Sequence, residues 1–324
     1  MAARRSRVKG SPMTLAQLTE EQLLARIIPR MPRGTGVLVG PGDDTAVLRC
    51  DDATIVTTDA VVRGRDWRDE WSSPQDVGAK IVAQNLADVA AMGGRPLGLV
   101  VTLLADPATP VAWVEGFADG LGEAARAAGA GVLGGDLSSA PSGVLAVSVT
   151  ALGTLGGRPP VLRSGAQPGD LVAVAGTLGR SAAGLLLLQK DRADLDPDLV
   201  AAHRRPQPPL AQGPAAAVAG ARGMLDVSDG LLRDGSRIAT ASAVALDFSR
   251  EALAPYAARL APAVGPDAAW ECVLGGGEEH SLLACFPPGQ VPTGWTVIGA
   301  VREGVGVLLD GIPQLPGGWD HFRA

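Results

Sequence analysis

The sequence lacks any excess of basic charge, since 28 Lys and Arg stand against 34 Asp and Glu for a net charge of -6. Nothing here forms a field that draws a nucleic-acid backbone or an anionic membrane, so an anionic substrate needs metal ions as intermediaries. Cysteine is scarce. Cys50, Cys272 and Cys285 are an odd number at irregular spacing, which speaks against a disulfide framework or a zinc site and for reduced core thiols in a cytoplasmic setting. No apolar run approaches the roughly 20 residues that span a bilayer. The best candidate, 97–104, stops at Asp106-Pro107 and reads as a buried strand. Also absent are a GxxxxGKS or GxxxxGKT loop, a G-x-S-x-G elbow and a His/Cys cluster at metal spacing, which excludes P-loop and nucleophile-elbow chemistry. Among the histidines, His203 in His203-Arg204-Arg205 reads as a surface residue.

Local patterns divide the chain. Residues 1–13, with Arg4, Arg5, Arg7 and Lys9, read as a disordered solvated tail. Thr19-Glu20-Glu21-Gln22 has capping-box spacing and opens a helix whose Leu23, Leu24, Ile27, Ile28 and Met31 share one face. Short β-rich runs follow at 37–39, 46–48 and 54–58. Ser73-Pro74 reads as N-cap and first position of a helix reaching Met92, closed by Gly93-Gly94. Strands at 97–104, 131–133 and 144–150 and a helix over 109–128 complete the first half. Gly156-Gly157-Arg158-Pro159-Pro160 marks the boundary, because consecutive prolines break both helix and ladder. The domains expected are therefore 14–158 and 159–324. Both halves read as α+β or α/β.

The aspartates carry the chemistry. Asp43-Asp44 follows Gly40-Pro41-Gly42, Asp59 closes a β-rich run, Asp136 follows Gly134-Gly135, and Asp226 and Asp229 bracket Ser228 before Gly230. Each is expected at a strand end or in a glycine turn. Asp88 lies instead within the 73–92 helix, three residues after Asn85 on the same face. Taken singly, an Asp in a Gly turn is a turn former or helix cap. Together, Asp44, Asp59, Asp88, Asp136 and Asp226 come without matching Lys or Arg in their motifs. Two unpaired carboxylates about 4 Å apart repel by roughly 4 kcal/mol at a protein-surface dielectric, a cost that hard divalent cations remove. Magnesium favours a few carboxylates plus water and phosphate oxygens, which points to phosphoryl transfer.

These motifs, with Thr57-Thr58-Asp59, Asn85-Leu86-Ala87-Asp88, Arg163-Ser164-Gly165, Gly276-Gly277-Glu278 and Trp319-Asp320-His321-Phe322, resemble the thiamine-monophosphate kinase family in order and spacing. That family belongs to the ATP-binding superfamily of AIR synthase, selenophosphate synthetase and HypE. The resemblance implies an α+β, two-domain PurM-like fold with a β-barrel-forming, dimerising N-terminal half and a C-terminal α/β half. It implies a homodimer that phosphorylates thiamine monophosphate with ATP by direct in-line transfer. By the same resemblance Asp44, Thr57, Thr58, Asp59, Asp88, Asp136, Asp226 and Asp229 are magnesium-site residues. Gly135, Asp136, Arg163 and Ser228 are ATP contacts, and Asp66, Glu278 and Trp319 are substrate contacts. No residue is assigned as a catalytic acid, base or nucleophile, because positioning and several Mg²⁺ ions suffice. The pattern departs at Asp66, where the family usually has histidine, at Ala87, where serine is common, and at Glu278-Glu279-His280-Ser281, where Glu-Asp-Tyr-Glu is usual. Alternatives are another ATP-dependent enzyme of the superfamily or a non-catalytic nucleotide-binding regulatory dimer.

Overall fold

The computed structural model describes residues 12–41, 45–50, 53–315 and 317; Asp44, Trp319 and most of the tail lie outside these residues. The first helix, α1 (Glu20–Ile27), starts where the capping box predicts, with Thr19 Oγ1 accepting from Gln22 N at 3.3 Å and Gln22 Oε1 from Thr19 N at 3.0 Å. A short antiparallel pair, β1 (Val37–Val39) and β2 (Val47–Leu48), precedes a four-stranded sheet. That sheet comprises β3 (Thr54–Val62), β4 (Arg95–Ala105), β5 (Gly131–Ser139) and β6 (Leu145–Thr154) in the order β3-β6-β4-β5. Two helices, α2 (Pro74–Ala91) and α3 (Val111–Ala127), join the first core cluster on one of its faces.

Alternation along the strands decides what each face carries. Val147, Val149 and Ala151 of β6 point into the covered core, and the residues between them stay half open. By register Thr57, Asp59 and Val61 share the covered face with Ala151, Val149 and Val147. Thr58 pairs with Thr150 and belongs to the open face, as does Asp136, which pairs with Thr102.

Two sequence expectations are corrected here. Asp59 does not close its strand, because β3 runs on to Val62 in unbroken pairing with β6. Gly134-Gly135-Asp136 is not a turn but lies inside β5, running parallel to β4. A Cβ on Gly135 would sit 1.9 Å from the Val101 carbonyl oxygen. Glycine is therefore required by close backbone approach, and the same residue type that signals a turn here serves a ladder.

The second half folds around a seven-stranded sheet. Its strands are β7 (Leu171–Ala175), β8 (Gly223–Val227), β9 (Ala245–Phe248), β10 (Ser281–Phe286), β11 (Thr296–Arg302), β12 (Gly306–Leu309) and β13 (Ile312–Gln314), ordered β13-β12-β9-β11-β7-β10-β8. Six helices accompany it: α4 (Arg180–Gln189), α5 (Pro197–Arg204), α6 (Gln212–Val218), α7 (Leu231–Ser242), α8 (Arg250–Val264) and α9 (Pro266–Gly275). Val172, Leu225, Phe248, Leu283 and Ile298 join helix residues in one core. Ala173, Met224, Leu282, Ala284 and Phe286, on the other face, join Ala90 and Ala91 of α2 and Ala216 of α6.

Helix α2 is the hinge pin of the architecture. Ser73 caps it, Pro74 opens it, and twelve of its eighteen residues are buried, so it packs on both halves at once. Its Ile81, Leu86 and Val89 are fully enclosed, each contributing about 1.5–3 kcal/mol by burial. Among the described residues no helix is long and apolar enough to cross a membrane.

Candidate active site at the seam of the two halves

The placement of α2 carries Lys80, Asn85 and Asp88 to the boundary between the sheets. Thr57 Oγ1, projecting from β3, donates to Asp88 Oδ2 at 2.7 Å. From the other side comes Asp226, next to the end of β8. Alternation puts it with Met224 on the face that meets α2. Burial pushes the Asp88 carboxyl up to about 6, with the negative charges of Asp226 and then Asp59 adding to the effect; the Thr57 hydroxyl and His280 oppose it. Residues 31 and 138 positions away in the chain, Thr57 and Asp226, thus bear on one carboxylate.

Asp226 has a partner the sequence did not announce. His280 Nδ1 lies 3.1 Å from Asp226 Oδ2, both side chains being buried. Burial disfavours an imidazolium here, but the hydrogen bond and charge of Asp226 outweigh it and raise the His280 pKa. The segment preceding β10 places three consecutive ionisable residues in three directions, with Glu278 at φ +58° and His280 at φ +55°. Left-handed backbone at a non-glycine residue costs on the order of 1 kcal/mol or more, and histidine is among the types that tolerate it. Glu278 N donates to Ser228 O at 2.8 Å and His280 N to Val227 O at 2.9 Å, which holds the segment against the end of β8.

Glu278 reaches across the seam. Its Oε1 meets Lys80 Nζ at 2.8 Å, and Oε2 lies 3.4 Å from His203 Nδ1. Burial works against the Glu278 charge, but Lys80 and then His203 outweigh it and hold the carboxyl below its usual range. The Glu278 side chain still keeps 38% of its surface open, whereas that of Lys80 keeps 7%. His203 is buried, not on the surface as its Arg-Arg neighbours suggest, because α5 packs against α4 and turns the ring toward Ser181, 3.2 Å away. Burial, and secondarily Lys80, drops its pKa to about 4. Glu279 points the other way: its Oε2 accepts from Ser181 N at 2.9 Å and its Oε1 from the Thr177 hydroxyl, closing the N-terminus of α4.

A second buried acid organises the Asp226-Ser228-Asp229-Gly230 loop. Asp234 Oδ2 accepts from Asp229 N at 2.8 Å and Gly230 N at 3.1 Å, and Arg237 bonds both Asp234 and Asp229. Burial pushes Asp234 up to about 6 against those backbone hydrogen bonds and Arg237. Asp229, expected near a metal, has its carboxylate engaged by Arg237 at 2.5 Å and Arg233 at 3.7 Å.

The remaining expected residues lie elsewhere. Asp136 accepts from Ser138 Oγ at 2.7 Å on the open face of the first sheet. With Gly134 and Gly135 it lines a cleft of about 600 Å³, whose lining includes Gly40, Pro41 and Thr45. Three strand spacings of about 4.8 Å separate β5 from β3, so Asp136 does not join Asp59 and Asp88 within one chain. Arg163 is exposed beside the start of β8, with its carbonyl accepting from Ser242 Oγ at 3.2 Å. Asp66 accepts from Val62 N at 2.7 Å and stabilises the turn after β3. Cys272 and Cys285 are core thiols as expected, but Cys50 is exposed in the β2–β3 connection.

Among the described residues no three His, Cys, Asp or Glu side chains lie close enough to hold one metal ion by themselves. The oxygen donors that do converge, Thr57, Asp88 and Asp226 with Asp59 in electrostatic reach, suit a hard cation that also takes phosphate oxygens and water.

Residues 42–155 match the family described as "AIR synthase related protein, N-terminal domain". The chain is 48% identical over 316 residues to thiamine-monophosphate kinase of Mycobacterium tuberculosis, covering 95% of this chain and 93% of that one. It is similar to the crystal structure of thiamine-monophosphate kinase from Stenotrophomonas maltophilia K279a, with TM-score 0.78, 32% identity, and coverage of 93% of this chain and 99% of that one. It is similar also to the structure of AaThiL complexed with AMPPCP and TMP, with TM-score 0.77, 32% identity, and coverage of 97% and 100%.

Proposed function

The chain belongs to the thiamine-monophosphate kinase family, and on that premise we propose that it transfers the terminal phosphoryl group of ATP to thiamine monophosphate, forming ADP and thiamine diphosphate. The observation that carries this is the meeting of Thr57 and Asp88 from the first half with Asp226 from the second around one buried acidic seam. Thr57, Asp59, Asp88 and Asp226 hold Mg²⁺ there, and Asp44, Thr58 and Asp136 complete the magnesium set. Held by these residues, magnesium would supply the positive charge that neutralises a polyphosphate aligned for in-line transfer. The substrate's phosphate monoester has a second pKa of about 6, so it reaches the reaction ionised and needs no strong general base. No phospho-enzyme forms. Gly135, Arg163 and Ser228 contact ATP, while Asp66, Glu278 and Trp319 contact the substrate.

The active unit is a homodimer built on the open face of the first sheet. That face presents Val56, 62% exposed, with Val62 and Leu104 beside the polar Thr58 and Thr102, and a second copy laid against it closes a barrel. Asp136, three strands from the seam in its own chain, is then brought in by that assembly. The halves divide at 158/159, and the enzyme works in the cytoplasm on small molecules, with no nucleic acid or membrane as partner.

Incubating the purified chain with ATP, Mg²⁺ and thiamine monophosphate tests this: thiamine diphosphate should accumulate, and its absence removes the proposal. Asp59→Asn should nearly abolish product, and undiminished turnover would take Asp59 out of the magnesium set.

A further inference from the structure

We propose that His280 is a positioning residue for this reaction: it fixes the Asp226 carboxylate through Oδ2, so that Oδ1 is the oxygen turned toward a magnesium ion. This rests on the reading of Asp226 as a magnesium ligand. The ring stands 3.1 Å from Oδ2 through Nδ1, and both side chains are more than nine-tenths buried. Neither can swing into solvent to find another partner.

The backbone on which the ring sits is fixed to the strand that bears Asp226. His280 N donates to Val227 O, and Glu278 N to Ser228 O. His280 holds φ +55°, and its ring reaches Asp226 of β8. Gly277 allows the approach, since a Cβ there would meet Ser228 O at 2.5 Å. Ring and carboxylate therefore form one rigid pair, set by main-chain contacts on both sides.

Such a pair has a purpose at this location. Asp226 faces the negative charge of Asp88, and an untethered carboxylate would rotate or withdraw from it. A donor on one oxygen removes that freedom and leaves the other oxygen for the cation, which is how hydrogen-bonded neighbours orient carboxylate ligands. Nε2, the second ring nitrogen, is buried with no hydrogen-bond partner among the described residues, so of these Asp226 is the group that accounts for the imidazole.

The test titrates Mn²⁺, in the presence of AMPPCP, into the wild type and into His280→Phe, His280→Leu and His280→Asn, reading free Mn²⁺ by electron paramagnetic resonance. Phe and Leu remove the donor and should weaken Mn²⁺ binding by about tenfold or more, whereas Asn, whose amide can donate from the place of Nδ1, should stay within about threefold of wild type. Two donor-less variants of different shape are included so that a folding failure of one leaves the other. Equal weakening by Asn, Phe and Leu would show that ring shape and not the donor matters, and would overturn the proposal. Asp226→Asn is titrated alongside. Wild-type Mn²⁺ binding in that variant would overturn the role of Asp226 and the role of His280 with it. Weakened binding in Asp226→Asn with wild-type binding in His280→Phe and His280→Leu would overturn the role of His280 alone.

Discussion

Thr57 and Thr58 are adjacent in β3, and the step of one residue puts them on opposite faces of the first sheet. Thr57 turns inward and donates to Asp88 in the seam. Thr58 turns outward, where its hydroxyl meets Thr150 at 3.2 Å and where Asp136 sits three strands away. On the inward side several charged groups have been met by others of the same chain: Lys80 by Glu278, Asp226 by His280, Asp229 by Arg237. On the outward side the acid is joined by a serine hydroxyl on an accessible surface. Folding of one chain assembles the first environment; the second is left open on the surface of the same chain. The two should therefore answer differently to mutation, and the contrast can be broken.

The largest effect is expected in the seam. Asp226→Asn should lower kcat/KM by on the order of 10²- to 10³-fold, the loss typical when one preorganised electrostatic contact is removed. Steady-state kinetics at saturating Mg²⁺ check it, and a loss under threefold would place the chemistry elsewhere. Next comes Glu278→Leu, which leaves the Lys80 ammonium enclosed without its carboxylate and should cost about 3 kcal/mol in urea unfolding. A cost near zero would mean that Lys80 finds water or another partner.

Asp88→Asn should do the opposite to stability. The Asp88 pKa in the folded chain, about 6, lies above its ordinary 3.8, so its contribution is full below pH 3.8 and is lost as pH rises through 6. The ligand-free protein above pH 6 thus carries a penalty that Asn removes, a gain on the order of 1 kcal/mol at pH 7.5 that fades toward pH 4. Unfolding curves at the two pH values decide it, and a gain equal at both would point to packing instead of charge. The smallest effect on folding should come from Asp136→Asn, within about 0.5 kcal/mol by the same measurement, as befits an exposed side chain. A large loss would show that Asp136 is already part of a packed network within the chain, and would remove the contrast between the faces.

Local signals were legible wherever neighbours in sequence are neighbours in space. The capping box at Thr19, the N-cap at Ser73 and the helix carrying Asn85 and Asp88 were all readable, because a cap or a helical face is written within four residues. Asp136 and its two glycines misled for the converse reason: what requires glycine at 135 is the carbonyl of Val101, thirty-four residues away. His203 misled because Arg204 and Arg205 describe its sequence neighbours and not Ser181, which α4 brings to it. Asp234 left one local trace, five residues after Asp229 and three before Arg237, yet nothing in that spacing says that its carboxylate holds the loop's amides.

The sequence by itself determined the family, the alternation of helices and strands, and the set of aspartates proposed here for a phosphate site, since these rest on residue type and short-range period. Only the tertiary structure decided which acids meet. Burial of α2 between two sheets sets Asp88 against Asp226, and the period of two along β3 separates Thr57 from Thr58. It also supplied the cations and the imidazole that the motifs lacked, because a buried charge selects partners by distance through space, whatever their distance along the chain.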